Sequence, residues 1–296
     1  MPSYLAKVQK RMDIYSRRRT RSILTGNYGS VFKGRSMDFD DLREYVLGDD
    51  VKDIDWKASA RSRSVMIRRY IAIRKRNILI IGDSGRNMTT LAPSGETKAE
   101  IATFCAGVMA YVGLNHDDLV GMVYGNHTEN KRFPLKENRA NAENFLNNYA
   151  KAAKYESADS DLNSVLQYAS KGNRERKMMV IISDPDSVQV MDMGLLRKLL
   201  ARHEILFILV EDALITDRKL KKRDTKDIDG LVRLPSFMRS SKSVAKAEHA
   251  YRMQQQENIT KELRHLGITS CFVGSSETAV SKIVNMLEEQ KNARKR

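Results

Sequence analysis

The chain has 296 residues, 41% hydrophobic and 30% charged, with a net charge of +15. That length supports one large or two modest domains, and that balance argues against an intrinsically disordered chain. No apolar run approaches the roughly 18–20 residues of a membrane helix, and the first 19 residues lack a signal-peptide core, so a cytoplasmic protein is expected.

Residues 3–18 show helical spacing, with Leu5, Val8, Met12 and Tyr15 at steps of three to four. A loop follows at 26–30. Residues 39–47 suggest a short helical turn, Gly48-Asp49-Asp50 a tight turn, and residues 64–73 a strand. At 77–83 the apolar run Ile78 to Ile81 meets Gly82 and Asp83, which suits a strand buried on both faces of a parallel sheet. Strands and helices then alternate: helix 96–114, strand 118–124, helix 136–151, a helix starting at Ser160, strand 178–183 and helix 193–201. Strand 204–210, a basic irregular stretch at 212–237, helix 243–266, strand 268–273 and helix 277–291 complete the chain. This alternation predicts an α/β domain at 77–296, preceded by a smaller loop- and strand-rich basic segment at 1–76. In open α/β sheets the loops at the carboxyl ends of strands carry the site, and Asp83 falls at such an end.

The positive charge is uneven. Residues 1–76 hold 19 lysines and arginines against 9 acids, with clusters at Arg17-Arg18-Arg19 and Arg21, at Arg68-Arg69 and at Arg74-Lys75-Arg76. Further basic clusters span 218–226 and 291–296. Such clusters serve either to keep a face solvated or to attract nucleic acid, an anionic membrane surface or an acidic protein. The two cysteines, Cys105 and Cys271, lie in apolar surroundings outside any CxxC pattern and read as small buried hydrophobes.

Two motifs mislead. Residues 24–34, with Gly26, Gly29 and Gly34, look like a kinase glycine-rich loop, but no HRD or DFG element accompanies them. Gly82-Asp83-Ser84-Gly85 echoes a serine-protease nucleophile, yet none of the five histidines sits in a supporting motif. No catalytic set is expected, and the chain reads as non-enzymatic.

Two blocks together resemble a known family. In the first, Arg43, Tyr45, Gly48, Asp49 and Asp50 form an R-x-Y-x-x-G-D-D segment running into I-D-W-x-x-x-A-R, with Asp55, Trp56 and Arg61. The second begins at Asn77. The pair is similar to the bacterial DUF58 family, in which such a signature precedes a von Willebrand factor A-like domain. The resemblance implies a doubly wound, mostly parallel sheet with helices on both faces. It also implies association with MoxR-type AAA+ ATPases, the protein serving as an adaptor or chaperone-like partner that binds the ATPase or its client.

The site of such domains binds Mg2+ through D-x-S-x-S, a threonine and a later aspartate. Carried over by position, Asp83 matches the first acid, Ser160 the threonine and Asp184 the last acid, while the two serines fall at Gly85 and Asn87. The expected metal set is therefore Asp83, Asn87, Ser160 and Asp184, a degenerate site, since Gly85 offers no ligand. Mg2+ wants hard oxygens in an octahedral shell, and an amide oxygen qualifies. The alternative is that Asp83 and Asp184 cap loops and helix N-termini at a metal-free surface. In the signature block, Asp49, Asp50, Asp55, Trp56 and Arg61 serve either a partner or the fold. The preferred reading is a buried Trp56 with an Asp–Arg pair pinning the loop. The competing function is nucleic-acid or anionic-membrane binding through the basic segment, with the protein peripheral to the inner membrane.

Overall fold

Strand β3, Asn77–Asp83, is buried from its second residue to its last. Its four consecutive aliphatic side chains leave no polar face, so it is covered on both sides and paired on both edges. The computed structural model describes residues 3–18, 37–62, 64–72, 75–172, 175–216 and 241–293. The chain forms two compact units, Met1–Val31 with Asn77–Arg296, and Phe32–Arg76.

The larger unit opens with α1, Tyr4–Arg18. After β3 come α3 (Lys98–Leu114), β4 (Leu119–Gly125), β5 (Asn130–Lys136), α4 (Arg139–Tyr149) and α5 (Leu162–Ser170). Then follow β6 (Met178–Ser183), the short α6 (Pro185–Gln189), α7 (Met193–Leu200), β7 (Glu204–Val210), α8 (Lys242–His265), β8 (Thr269–Val273) and α9 (Ser276–Ala293). The sheet order is β5-β4-β3-β6-β7-β8. Every neighbouring pair is parallel except β4 with β5. The expected α/β, mostly parallel, helix-flanked sheet is what the chain forms. Leu79 and Ile81 face a core with Val165 and Leu166 of α5, Leu196 and Leu199 of α7, and Ile259 and Leu263 of α8. Against the other face α1, α3, α4 and α9 pack together. Gly113 of α3 lies against Ile78 and Val120 there.

The smaller unit is a two-stranded antiparallel sheet of β1 (Met37–Glu44) and β2 (Met66–Ala72), with α2 (Trp56–Ser62) between them. Residues 39–47, expected as a helical turn, are thus largely strand. The aspartate-rich β1 has poor intrinsic strand preference, and pairing with β2 supplies its backbone partners. The first helix also departs from the expected division at residue 76. Leu5, Val8 and Met12 are buried, and α1 packs on α3, α4 and α9, so it belongs with the sheet. Strand β5 went unpredicted because its side chains are mostly exposed and carry no apolar signal. Pro134 is tolerated there because β5 is an edge strand.

The glycine-loop decoy at 24–34 and the basic cluster at 218–226 lie outside the described residues. Both cysteines are free and buried as expected. Among the described residues no helix is long and apolar enough to cross a membrane.

One close approach sets the geometry of the site. The Tyr149 ring lies so near Gly82 that an added Cβ would sit 2.6 Å from it. The Tyr149 hydroxyl donates to the Asp83 carbonyl oxygen at 2.9 Å. Gly82→Ala is therefore expected to cost about 2 kcal/mol by forcing the ring aside. A urea-unfolding midpoint lowered without a change in slope would show it.

Candidate functional site

Parallel strands end their loops on one side, and three of those loops meet beside β3. Asp83 is the last residue of β3 and is 1% exposed. Its Oδ1 accepts from the Gly85 amide at 2.9 Å. Its Oδ2 accepts from the hydroxyls of Ser160 at 2.6 Å and Ser183 at 3.0 Å, and from the Asn87 amide at 3.2 Å. The Ser187 hydroxyl lies 3.3 Å from the same oxygen and 3.0 Å from Ser160 Oγ. Burial pushes the Asp83 carboxyl above the usual range, and the nearby Asp184 charge adds to it.

Asp184 follows β6 and caps α6 by accepting from the Ser187 amide at 2.8 Å. Its Oδ2 takes the Asn87 Nδ2 at 2.7 Å and the Lys98 ammonium at 2.8 Å. Burial alone would raise this carboxyl. The Lys98 charge outweighs burial and, with hydrogen bonds from Lys98 and Ser187, holds it at about 2. Lys98 Nζ also lies 2.6 Å from Asp212 Oδ1, in the loop after β7. Burial opposes the lysine charge, yet Asp184 and Asp212 overcome it and raise its pKa. Asp212 in turn accepts from Thr90 at 2.9 Å and pairs with Arg252 of α8 at 3.5 Å.

The fold thus brings together all four expected site residues, Asp83, Asn87, Ser160 and Asp184. Their arrangement does not fit Mg2+. Asn87 spends its amide N–H groups on the two acids, while its Oδ1 is buried without a hydrogen-bond partner among the described residues. The ion needs oxygens, and here an NH2 group bridges the carboxylates. Nor can a serine replace Gly85, because a Cβ there would lie 2.5 Å from the Ser160 nitrogen. Among the described residues no group of three or more His, Cys, Asp or Glu is placed to hold a metal.

Sequence reasoning missed Lys98, Asp212, Ser183 and Ser187. Lys98 did carry a signal. It directly follows Thr97, which caps α3 in a reciprocal box with Glu100. A lysine in the first turn opposes the helix dipole and calls for another reason to be there.

In the smaller unit the signature residues divide into two groups. Arg43 pairs with Asp49 at 2.6 Å, and Asp49 accepts from the Val46 amide at 3.0 Å. Gly48, at φ +111°, makes the turn between them. Asp50 accepts from the Lys52 amide at 3.1 Å, and Asp55 from those of Lys57 and Ala58 at 3.0 and 3.1 Å. Tyr45 is half-buried, and its amide donates to Val65. Trp56 corrects an expectation: it is 68% exposed rather than buried. It opens a seven-residue helix with no buried side chain. The pinning pair is Arg43–Asp49, and Arg61 is exposed.

A mostly parallel doubly wound sheet, with acids after its first and fourth strands side by side, is the arrangement of a von Willebrand factor A-like domain. The chain belongs to the DUF58 family, described as a protein of unknown function, whose model matches residues 41–224. It is 25% identical over 209 residues to the uncharacterised proteins Mb1516 of Mycobacterium bovis and Rv1480 of Mycobacterium tuberculosis. That alignment covers 70% of this chain and 65% of theirs, so the chain spans less than two thirds of these relatives. Two solved structures are similar in part. A von Willebrand factor type A protein from Catenulispora acidiphila has a TM-score of 0.41 at 11% identity, over 76% of this chain and 44% of that one. An aerotolerance-related membrane protein from Bacteroides fragilis has a TM-score of 0.42 at 16% identity, over 72% and 99%.

The Asp184 pKa predicts a pH window. An unfolded aspartate titrates near ~3.9, and folded Asp184 sits at about 2. Below neutral pH the unfolded chain therefore binds this proton first. The contribution is fully present above about pH 4 and is lost as pH falls toward 2. Asp184→Asn should lower stability by about 2.5 kcal/mol at pH 7. In paired thermal melts, the gap between wild type and variant should close as pH falls from about 4 toward 2.

Proposed function

We propose that the chain is a non-enzymatic protein-binding adaptor, and that its partner is a MoxR-type AAA+ ATPase or that ATPase's client protein. The observation that carries the reading is the exposure of the signature loop. Val46, Leu47, Val51 and Trp56 fall within eleven positions, and Leu47 is 97% exposed. Aspartates and Gly48 hold the turns that present these apolar side chains. Tryptophan is the residue that most often anchors a protein interface.

The larger unit supports binding over catalysis. Asp83, Asp184 and Lys98 are buried; Lys98 donates to Asp184, and the Asn87 amide bridges Asp184 and Asp83. A general acid or base has to reach a substrate proton, and groups only 1–2% exposed are poorly placed to do so. The ATPase enters as partner through the family resemblance, which implies that association.

The test is a pull-down with tagged full-length chain from a lysate containing a MoxR-type ATPase, repeated with Trp56→Ala. Wild type should retain the ATPase or a client bound to it. Trp56→Ala should lose at least ten-fold in affinity while its melting temperature stays within about 2 °C, as for an exposed substitution. Repeated recovery of no AAA+ ATPase by the wild type would refute the partnership.

A further inference from the structure

Lys98 is placed against two penalties. It opens α3, where the positive end of the helix dipole faces it. It is also 2% exposed, and burying an ammonium is costly unless it is paired and hydrogen-bonded. Its position is explained by what the ammonium touches. Asp184 Oδ2 at 2.8 Å belongs to the loop after β6, and Asp212 Oδ1 at 2.6 Å to the loop after β7. Thr90, from the loop after β3, reaches the same Asp212 oxygen at 2.9 Å. One ammonium therefore joins the loops of three parallel strands at the face where such sheets carry their sites.

A divalent ion in such a place neutralises buried carboxylates and clamps the loops that bear them. Here both tasks are already performed. Asp184 and Asp212 are balanced by Lys98 and Arg252. The space between Asp83 and Asp184 is bridged by the Asn87 NH2 group. For an ion to enter, that amide would have to turn its oxygen inward, giving up both hydrogen bonds. The ammonium would also have to leave Asp184 while still surrounded by protein.

We propose that Lys98 is the resident cation of this face: its ammonium replaces the divalent ion, and the site holds its shape without metal. A partner's carboxylate then has no ion to complete at this face. The inference concerns the cation alone and stands whether or not the partner is an AAA+ ATPase.

The probe is Mn2+ with the full-length chain. Electron paramagnetic resonance should show the spectrum of the free aquo ion, and melting temperatures in EDTA and in excess Mg2+ should agree within about 1 °C. Stoichiometric Mn2+ binding that Ser160→Ala and Asp83→Asn both abolish, in protein that still melts cooperatively, would overturn the proposal. Binding that both variants retain places the ion elsewhere and leaves the proposal standing.

Lys98→Met, of similar length without charge, supplies the second arm. It leaves two buried acids short of a cation, and its melting temperature should fall by roughly 10 °C. Mg2+ should restore part of that loss, while NaCl of equal ionic strength should not. A Lys98→Met protein as stable as wild type would also overturn the proposal. Should that variant fail to fold, the wild-type Mn2+ and EDTA comparison decides the question without it.

Discussion

The ammonium of Lys98 between the carboxylates of Asp184 and Asp212 is the interaction on which the geometry of the candidate site depends. A buried ion pair adds little net stability compared with apolar packing, yet breaking one is costly because the surviving charge cannot reach water. The pair therefore acts as a constraint on geometry. It requires the loops after β6 and β7 and the start of α3 to stay within hydrogen-bonding distance, and Asp212 passes the restraint on to Thr90 and to Arg252 of α8.

The second half of the site obeys a different economy. Among the described residues Asp83 has no cation beside it and is held by hydroxyls and amides instead. Burial and the neighbouring Asp184 charge push its carboxyl toward the protonated form. Two aspartates bridged by one amide thus have opposite electrostatic fates, because Lys98 contacts only one of them. Glycine makes this crowding tolerable. Gly82 admits the Tyr149 ring, and Gly85 admits the Ser160 backbone. The D-x-S-x-S pattern is incompatible with this backbone at the position of Gly85.

The smaller unit separates scaffold from display. Asp49, Asp50 and Asp55 are consumed by turns and by the Arg43 pair. Its large apolar residues at 46, 47, 51 and 56 are left to solvent. Exposed apolar surface of this kind marks interaction sites in soluble domains. A rigid presenting loop would spend little conformational entropy on binding.

The sequence by itself determined the α/β class and most element positions, because continuous apolar runs and helical spacing report burial directly. It also placed Asp83, Asn87, Ser160 and Asp184 as one group through family resemblance, and the parallel sheet brings them together. Where burial leaves no local trace, the reading failed. Strand β5 is exposed and contains Pro134, and β1 is rich in aspartate, so only pairing with their neighbours makes them strands. Trp56 looked like core from its residue type, but it stands 68% exposed at the start of α2. Only the tertiary structure decided the chemistry of the site. Lys98, Asp184 and Asp212 stand on three separate segments, and a cation's partners are set by the distances among folded loops, which no local pattern encodes.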